Sequence, residues 1–187
     1  GSSPTAVWEL DDRLSREPPP EVRAVLYRIA QEALANVRKH ARASRVAVAL
    51  RDEGEGALGI EALSRGAAGA VFVERAPAAV AAIRENLRRT RLEDRARVVR
   101  ADAARFLGRP PERRFDLVLV DPPYELAPGL LADVLARLDR HLAPGAIVAL
   151  TRPKRSSTHV VPLHWLARGR LGYGDSLVFL YRRTEEG

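Results

Sequence analysis

Residues 70–89, with the sequence AVFVERAPAAVAAIRENLRR, place a short apolar run directly before a segment of helical periodicity. The run at 70–73 predicts a buried strand, and the pattern at 77–89 predicts an amphipathic helix with proline in its first turn. The same alternation continues on both sides, with strands predicted at 45–50, 97–100, 115–120 and 146–150 and helices at 21–40, 57–65, 103–107 and 130–142. Strands separated by helices of this length pair in parallel through right-handed crossovers. The sequence therefore predicts a doubly wound, mostly parallel α/β sheet.

The end of the chain departs from this alternation. Two strand-like segments, at 164–171 and 177–181, flank the turn Gly172-Tyr173-Gly174-Asp175. A short connection rich in glycine suits an antiparallel pair. We expect a C-terminal hairpin added to the edge of the sheet.

The composition indicates one globular domain. The chain has 187 residues, of which 46% are hydrophobic, and it contains no cysteine. Without cysteine, a disulfide scaffold, a thiolate metal site and a cysteine nucleophile are excluded, and the four histidines share no metal-ligand spacing. No apolar run approaches the roughly 20 residues of a membrane-spanning helix, and no secretory signal pattern is present. We therefore expect a cytoplasmic protein with no metal and no membrane partner, and the sequence leaves its oligomeric state open.

Residues 1–20 are expected to lie apart from that domain. Gly1-Ser2-Ser3 looks like the scar of a removed tag, and the stretch up to Pro20 contains four prolines and no sustained periodicity. We expect an extended lead-in here and a single domain over residues 21–187.

The positive charge is concentrated after residue 53. The formal net charge is +1 over residues 1–53 and +6 over residues 54–187. All cations except Lys39 and Lys154 are arginine, a skew that genome composition explains as well as phosphate binding does. Any phosphate-binding face is therefore expected in the later part of the chain.

A glycine-rich segment follows the first predicted strand. Gly54, Gly56 and Gly59 form a G-x-G-x-x-G pattern that opens a helix, where backbone N–H groups can approach a ligand closely. The acidic residues Asp52 and Glu55 lie within or beside it, as does Glu53. Carboxylates at this place disfavour the pyrophosphate of a dinucleotide. A ligand with a sulfonium and an ammonium group tolerates them, so S-adenosylmethionine fits better than NAD.

Acidic residues end the next two predicted strands. Glu74 follows the strand at 70–73, where a carboxylate can accept hydrogen bonds from both ribose hydroxyls of an adenosine ligand. Asp102, with Ala103 beside it, ends the third strand in the same way. Both acids can instead be solvated caps. Together with the glycines they predict a nucleoside cofactor at the carboxyl edge of the sheet.

The sequence Asp121-Pro122-Pro123-Tyr124 ends the fourth predicted strand. The two prolines remove two backbone donors and stiffen the loop, so its carbonyl groups can face a ligand. Asp121 and the Pro122 carbonyl can accept the two hydrogens of an amine on an aromatic base and thereby favour the form whose lone pair attacks a methyl sulfonium. Tyr124 can stack on the base. A purely structural turn is the alternative.

The chain from about Gly56 to Arg183 resembles the RsmD family, the S-adenosylmethionine-dependent guanine-N2 methyltransferases of small-subunit ribosomal RNA. The resembling segments are 56–67, 71–75, 83–87, 116–124 and 173–176. The resemblance implies a seven-stranded Rossmann-like methyltransferase sheet and a ribosomal RNA or small ribosomal subunit as partner. It also implies cofactor contacts from Gly54, Gly56, Glu74 and Asp102, with catalysis at 121–124.

The first third of the chain resembles a different family. Residues 26–41, LYRIAQEALANVRKHA, are similar to the N box of sensor histidine kinases. That resemblance implies that Glu32 and Asn36 serve ATP-bound magnesium, with Lys39 and His40 near the phosphates. The chain is therefore interpreted as a chimera, kinase-like over residues 21–53 and methyltransferase-like over residues 54–187.

Three cations follow the fifth predicted strand. Arg152, Lys154 and Arg155 can hold substrate phosphate or can belong to a solvated loop. The leading hypothesis is a methyltransferase of an exocyclic base amine in ribosomal RNA, with activity impaired by the replaced first third. The alternatives are a recombined or engineered domain that folds without catalysing and, more weakly, an ATP-binding remnant of a kinase.

Overall fold

The computed structural model describes residues 45–49, 57–64, 66–123, 125–155, 161–173 and 175–184. These residues form seven strands: β1 (Arg45–Ala49), β2 (Gly69–Glu74), β3 (Ala96–Arg100), β4 (Phe115–Val120), β5 (Leu142–Pro153), β6 (Trp165–Tyr173) and β7 (Ser176–Arg183). The same described residues form four helices: α1 (Ala57–Ser64), α2 (Pro77–Arg89), α3 (Ala103–Leu107) and α4 (Pro128–Asp139). A short 3₁₀ turn, Glu93–Arg95, leads into β3.

The strands form one sheet in the order β3-β2-β1-β4-β5-β7-β6. The first five strands of that order are parallel, whereas β7 is antiparallel to both β5 and β6. The predicted α/β class and the predicted C-terminal hairpin are thus confirmed. The hairpin joins the sheet through its second strand, so β6 becomes the outermost strand.

Helices cover both faces of the sheet. The side chains of α1 and α2 pack with one face, where Leu63, Ile83 and Leu87 are buried with Phe72 of β2. The other face is covered by α3 and α4. The buried residues of α4 are Leu131, Val134, Leu135 and Leu138, which follow the i, i+3, i+4, i+7 spacing of an amphipathic helix.

The predicted bounds of several elements were wrong. The hairpin strands predicted at 164–171 and 177–181 extend to Tyr173 in β6 and to Arg183 in β7, so the predicted turn at 172–175 is shorter than expected. The helix predicted at 130–142 is α4, which begins at Pro128 and ends at Asp139, because Pro128 starts the first turn and a turn at 140–141 follows. The strand predicted at 146–150 is β5, which runs from Leu142 to Pro153. Its early part includes Gly145 at φ +74°, and the register with β4 shifts there between Phe115 and Leu117. Glycine takes this left-handed conformation without strain, so β5 continues through Pro144 and Gly145.

Several predictions fall on residues outside the described part of the chain. These are the lead-in at 1–20, the helix at 21–40, the kinase-like residues Glu32, Asn36, Lys39 and His40, and the glycines Gly54 and Gly56. Among the residues that the structure describes, no helix combines the length and hydrophobicity needed to span a lipid bilayer.

The parallel strands bring their carboxyl ends to one edge of the sheet. Residues directly after β2, β3 and β4 are therefore neighbours at that edge, with β1 between β2 and β4. In open α/β sheets, ligands bind in the crevice outside this edge.

Candidate active site

Glu74 is the last residue of β2 and is only 2% exposed. Its Oε1 accepts a hydrogen bond from the backbone N–H of Ala76 at 2.7 Å. Its Oε2 is buried and has no hydrogen-bond partner among the described residues. A buried carboxylate oxygen without a donor is costly. Glu74 therefore offers an acceptor that a bound ligand with hydroxyl donors would satisfy.

The glycine-rich segment lies between β1 and α1. β1 is a central strand that ends at Ala49 at the carboxyl edge, and α1 begins at Ala57. Gly59 lies in the first turn of α1 and is buried. Gly54 and Gly56 lie outside the described residues. The structure thus places the start of α1 beside the end of β2 without describing the first two glycines.

Asp102 caps the amino end of α3. Its Oδ1 accepts hydrogen bonds from the backbone N–H groups of Ala104 at 2.9 Å and Arg105 at 3.3 Å. Both bonds use the same oxygen, and the side chain is exposed. Ala103 is the first residue of α3 and is half-buried. Asp102 therefore has the capping role that was one of its two interpretations, and Oδ2 takes no part in the cap.

The segment after β4 begins with Asp121, which is half-buried, and Pro122, which is buried. The carbonyl of Pro123 accepts a hydrogen bond from the Leu126 N–H at 3.0 Å and closes a turn before α4. Among the described residues, no backbone N–H group in a turn or loop donates a hydrogen bond to the Pro122 carbonyl. Tyr124 lies outside the described residues. Asp121 and Pro122 therefore lie between the carboxyl end of a central strand and a hydrogen-bonded turn.

The three cations after β5 differ from expectation. Arg152 lies inside β5, opposite Leu177 of β7, and is 2% exposed. Burial lowers the pKa of its guanidinium group. Lys154 and Arg155 are exposed in the turn that follows. Arg152 is thus not a surface loop residue, whereas its two neighbours are open to solvent.

The burial of Arg152 was missed because the predicted strand stopped at 150. Successive strand residues point to opposite faces, so Arg152 lies on the same side of β5 as Val148 and Leu150. Both of those residues are 0% exposed. Continuing the alternation by two residues would have predicted a buried arginine.

The two described histidines, His141 and His164, contact other protein groups. Within the described region, no group of three or more His, Asp or Glu side chains is arranged to hold a metal ion. His141 is buried with Nε2 3.2 Å from the Leu107 carbonyl, and burial lowers its pKa. His164 contacts Asp139 instead. Both described histidines are therefore part of the packing far from the carboxyl edge.

Residues 21–182 match the family model described as conserved hypothetical protein 95. The matched range covers all the strands of the sheet except the last residue of β7. It also includes residues 21–53, the segment that resembles a histidine kinase. The match itself does not test the interpretation of that segment.

Two relatives and one solved structure similar to this chain are named as methyltransferases. Ribosomal RNA small subunit methyltransferase D of Escherichia coli strain K12 is 34% identical over 136 residues, which are 72% of this chain and 67% of that protein. The putative rRNA methyltransferase YlbH of Bacillus subtilis strain 168 is 42% identical over 74 residues, 38% of this chain and 40% of that protein. The solved structure of the putative methyltransferase yhhF from Escherichia coli superposes with a TM-score of 0.70 at 28% identity, covering 85% of this chain and 87% of that one.

Proposed function

The chain belongs to the family described as conserved hypothetical protein 95, and from that premise we propose that it uses S-adenosylmethionine to methylate the N2 amine of guanine in small-subunit ribosomal RNA. One observation carries the proposal. β2 ends with Glu74, whose carboxylate has a buried oxygen without a hydrogen-bond donor among the described residues. The Asp-Pro-Pro segment follows β4, and only β1 lies between these two strands. The relative at 34% identity, a ribosomal RNA small subunit methyltransferase, supports the proposal.

The described residues fit an adenosine-containing cofactor. Oε2 of Glu74 would accept the hydrogen bonds of ribose hydroxyls, which supplies the donors that the fold leaves out. Asp102 and Ala103 adjoin the same edge, and Gly54, Gly56 and Gly59 would bring backbone N–H groups close to the ligand. S-adenosylmethionine bound there supplies an electrophilic methyl group. The chain itself then has to present and orient the attacking amine.

Asp121 and the Pro122 carbonyl are the groups proposed to orient that amine. Each can accept one of its hydrogens, which localises the nitrogen lone pair for attack. Tyr124 follows directly and is proposed to stack on the base, a contact worth about 1–3 kcal/mol in single-stranded recognition. Catalysis in this proposal is mainly positioning and electrostatics. Lys154 and Arg155 are proposed to contact phosphates of the RNA next to the target base. The buried Arg152 is proposed to add its positive charge to the same region.

The test separates cofactor binding from methyl transfer. Calorimetry measures binding of S-adenosylhomocysteine, and tritiated-methyl incorporation into small-subunit ribosomal RNA measures activity, in the wild type and in Asp121→Ala. We expect the variant to bind S-adenosylhomocysteine like the wild type and to lose activity at least about 100-fold. Asp133→Ala, which removes an exposed carboxylate on α4, is the matched control and should retain full activity. Full activity of Asp121→Ala would refute the assigned role.

Two alternatives have their own readouts. A chimeric domain that folds without catalysing would melt cooperatively, and S-adenosylhomocysteine would not shift its melting temperature. A kinase remnant, suggested by the resemblance of residues 26–41, would be stabilised by magnesium-ATP, and Asn36→Ala would abolish that stabilisation. Binding of S-adenosylhomocysteine without any effect of magnesium-ATP would contradict both alternatives.

A further inference from the structure

Four exposed arginines lie near the amino end of β4, away from the candidate active site. They are Arg109, Arg113, Arg114 and Arg140, here called the arginine cluster. They lie at three places along the chain: after the end of α3, directly before β4 and directly after α4.

Hydrogen bonds join these three places. Arg140 donates through Nη2 to the carbonyl of Leu107 and, at 3.4 Å, to that of Arg109. The N–H of Phe115 donates to the carbonyl of His141 at 2.7 Å, which sets Arg114 next to the end of α4. Pro110 and Pro111 restrict the loop between Arg109 and Arg113. The cluster is therefore one surface built by a fixed backbone.

The nearby carboxylates are already engaged with other cations. Glu112 pairs with Arg97 at 2.9 Å, and Asp133 pairs with Arg137 at 2.8 Å. Asp139 accepts from Arg183 and His164. Within the part of the chain that the structure describes, no carboxylate forms an ion pair with any side chain of the arginine cluster. Four positive charges on one surface thus have no carboxylate partner among the described residues.

This chemistry suits a phosphate backbone better than an apolar partner. Guanidinium groups bind phosphate through two parallel hydrogen bonds. The large hydrophobic side chains exposed in the described region are Leu130, Leu163 and Leu166, and none of them belongs to the cluster. A surface of exposed arginines with no apolar centre is typical of sequence-independent contact with nucleic acid.

We propose that the arginine cluster is a second RNA-binding surface, which holds phosphates of the substrate RNA away from the base that is methylated. The proposal rests on the proposed function for its choice of RNA. β4 separates Arg114 from Asp121, and six strand residues span about 20 Å. The two surfaces therefore require an RNA that extends well beyond the target nucleotide, such as folded ribosomal RNA.

Salt dependence of RNA binding tests the surface directly. Filter binding to a transcript of small-subunit ribosomal RNA is measured between 50 and 200 mM KCl for the wild type, for Arg113→Gln/Arg114→Gln and for Arg109→Gln/Arg140→Gln. Each lost phosphate contact lowers the slope of log affinity against log salt by about 0.7 to 0.9. Each double variant should therefore lose about 1.4 to 1.8 from the slope, which makes its affinity about 7- to 12-fold less sensitive to salt across this range.

The matched control is Arg84→Gln/Arg89→Gln. Both residues are exposed on α2, which covers the other face of the sheet, and the control removes the same number of charges. Its slope should equal that of the wild type. Equal slopes for the cluster variants and the control would overturn the proposal, and so would a lowered melting temperature of the cluster variants without a change in slope.

Methyl transfer distinguishes this proposal from the proposed function. The cluster variants should raise the KM for the RNA and leave kcat unchanged, because the cluster touches no reacting atom. A wild type that methylates RNA, with cluster variants of unchanged KM, would overturn the second surface alone. A wild type that binds RNA through the cluster but transfers no methyl group would overturn the proposed function alone.

Discussion

The carboxylate of Glu74 is satisfied on one side only: Oε1 accepts the N–H of Ala76 at 2.7 Å, whereas Oε2 is buried without a partner among the described residues. The bond to Ala76 fixes the carboxylate at the turn between β2 and α2. The unused oxygen is thereby held at the carboxyl edge of the sheet, and folding alone does not compensate its desolvation.

Glu74→Gln should change stability and ligand binding in opposite directions. The amide keeps an oxygen for Ala76 and removes a buried charge, so the ligand-free protein should melt at an equal or higher temperature. Affinity for S-adenosylhomocysteine should fall about 10-fold or more, because hydrogen bonds to a charged acceptor contribute about 1.5–3 kcal/mol. Calorimetry and thermal melts measure the two effects. Unchanged affinity would show that Oε2 meets no ligand hydroxyl.

Two variants of Asp102 should distinguish its capping role from a contact with the cofactor. Asp102→Ala removes both hydrogen bonds to the start of α3 and should lower the free energy of unfolding by about 1 kcal/mol. Asp102→Asn keeps a capping oxygen and should stay within about 0.5 kcal/mol of the wild type, since asparagine caps helices as well as aspartate does. Urea unfolding measures both variants. Weaker binding of S-adenosylhomocysteine by Asp102→Asn would then report a contact of Oδ2 with the cofactor.

The stability of the chain should depend on pH through Asp116. Burial raises the pKa of this β4 carboxyl from 3.8 to about 6. The folded state then holds the proton over a pH range in which the unfolded state has released it, so the stabilisation is complete below pH 3.8 and is lost as the pH rises to about 6.

Asp116→Asn should remove this dependence. At pH 7 the variant should be more stable than the wild type by about 2 kcal/mol, which allows for partial solvent screening of a shift of about two pKa units. Urea unfolding at pH 4, 5 and 7 gives the difference between the two proteins. Asp94→Asn, on an exposed residue of the 3₁₀ turn, is the control. A difference that does not vary with pH would contradict the assignment to Asp116.

Asp139 should be a main support of the C-terminal hairpin. Its Oδ1 accepts from Trp165 Nε1 at 2.8 Å, His164 Nε2 at 2.7 Å and Arg183 Nε at 3.1 Å, so α4 is tied to both β6 and β7. Burial opposes ionisation of this carboxyl, but the donation from Trp165, His164 and Arg183 outweighs it and lowers the pKa. The contribution of Asp139 is therefore present above pH 3.8 and is lost as the pH falls through the lowered value.

Asp139→Ala should lower the free energy of unfolding by about 3 kcal/mol at neutral pH, because it leaves buried donors without their acceptor. Arg183, which is 5% exposed, would lose a charged partner. Asp133→Ala on the same helix removes only a solvent-exposed ion pair and should cost less than about 1 kcal/mol. Urea unfolding compares the two. Equal losses would mean that the convergence of donors on Asp139 adds nothing to stability.

The alternating architecture could be predicted because each element follows local rules. The bounds of α2, α3 and β4 agree with the predictions at 77–89, 103–107 and 115–120. Pro77 marks the start of α2. The nearly continuous apolar run of β4 is typical of a parallel strand that is buried on both faces. Where a boundary failed, at 142–146, the reason is tertiary: pairing of Leu142 with Phe115 draws a proline–glycine pair into β5.

The sequence predicted which residues lie at the carboxyl ends of the strands, but it did not predict their burial or their hydrogen bonds. Glu74 and Asp102 look alike in the sequence, each an acid after a short strand. In the structure one is buried with an unused oxygen and the other is an exposed cap. Burial depends on which strand is central, and the order of strands in a sheet is not written in any local pattern. The grouping of the arginine cluster is equally non-local, since it depends on where α3 and α4 end.

The position of β7 between β5 and β6 affects how the protein is made. Synthesis proceeds from the amino end, so β6 emerges before the strand that is to hold it in the sheet. Until residues 176–183 have left the ribosome, β6 has no partner and the edge of β5 remains open. Folding of this half of the sheet is therefore coupled to the synthesis of residues 176–183. A chain truncated before residue 176 would lack both β7 and β6 in its sheet, because β6 joins the sheet through β7.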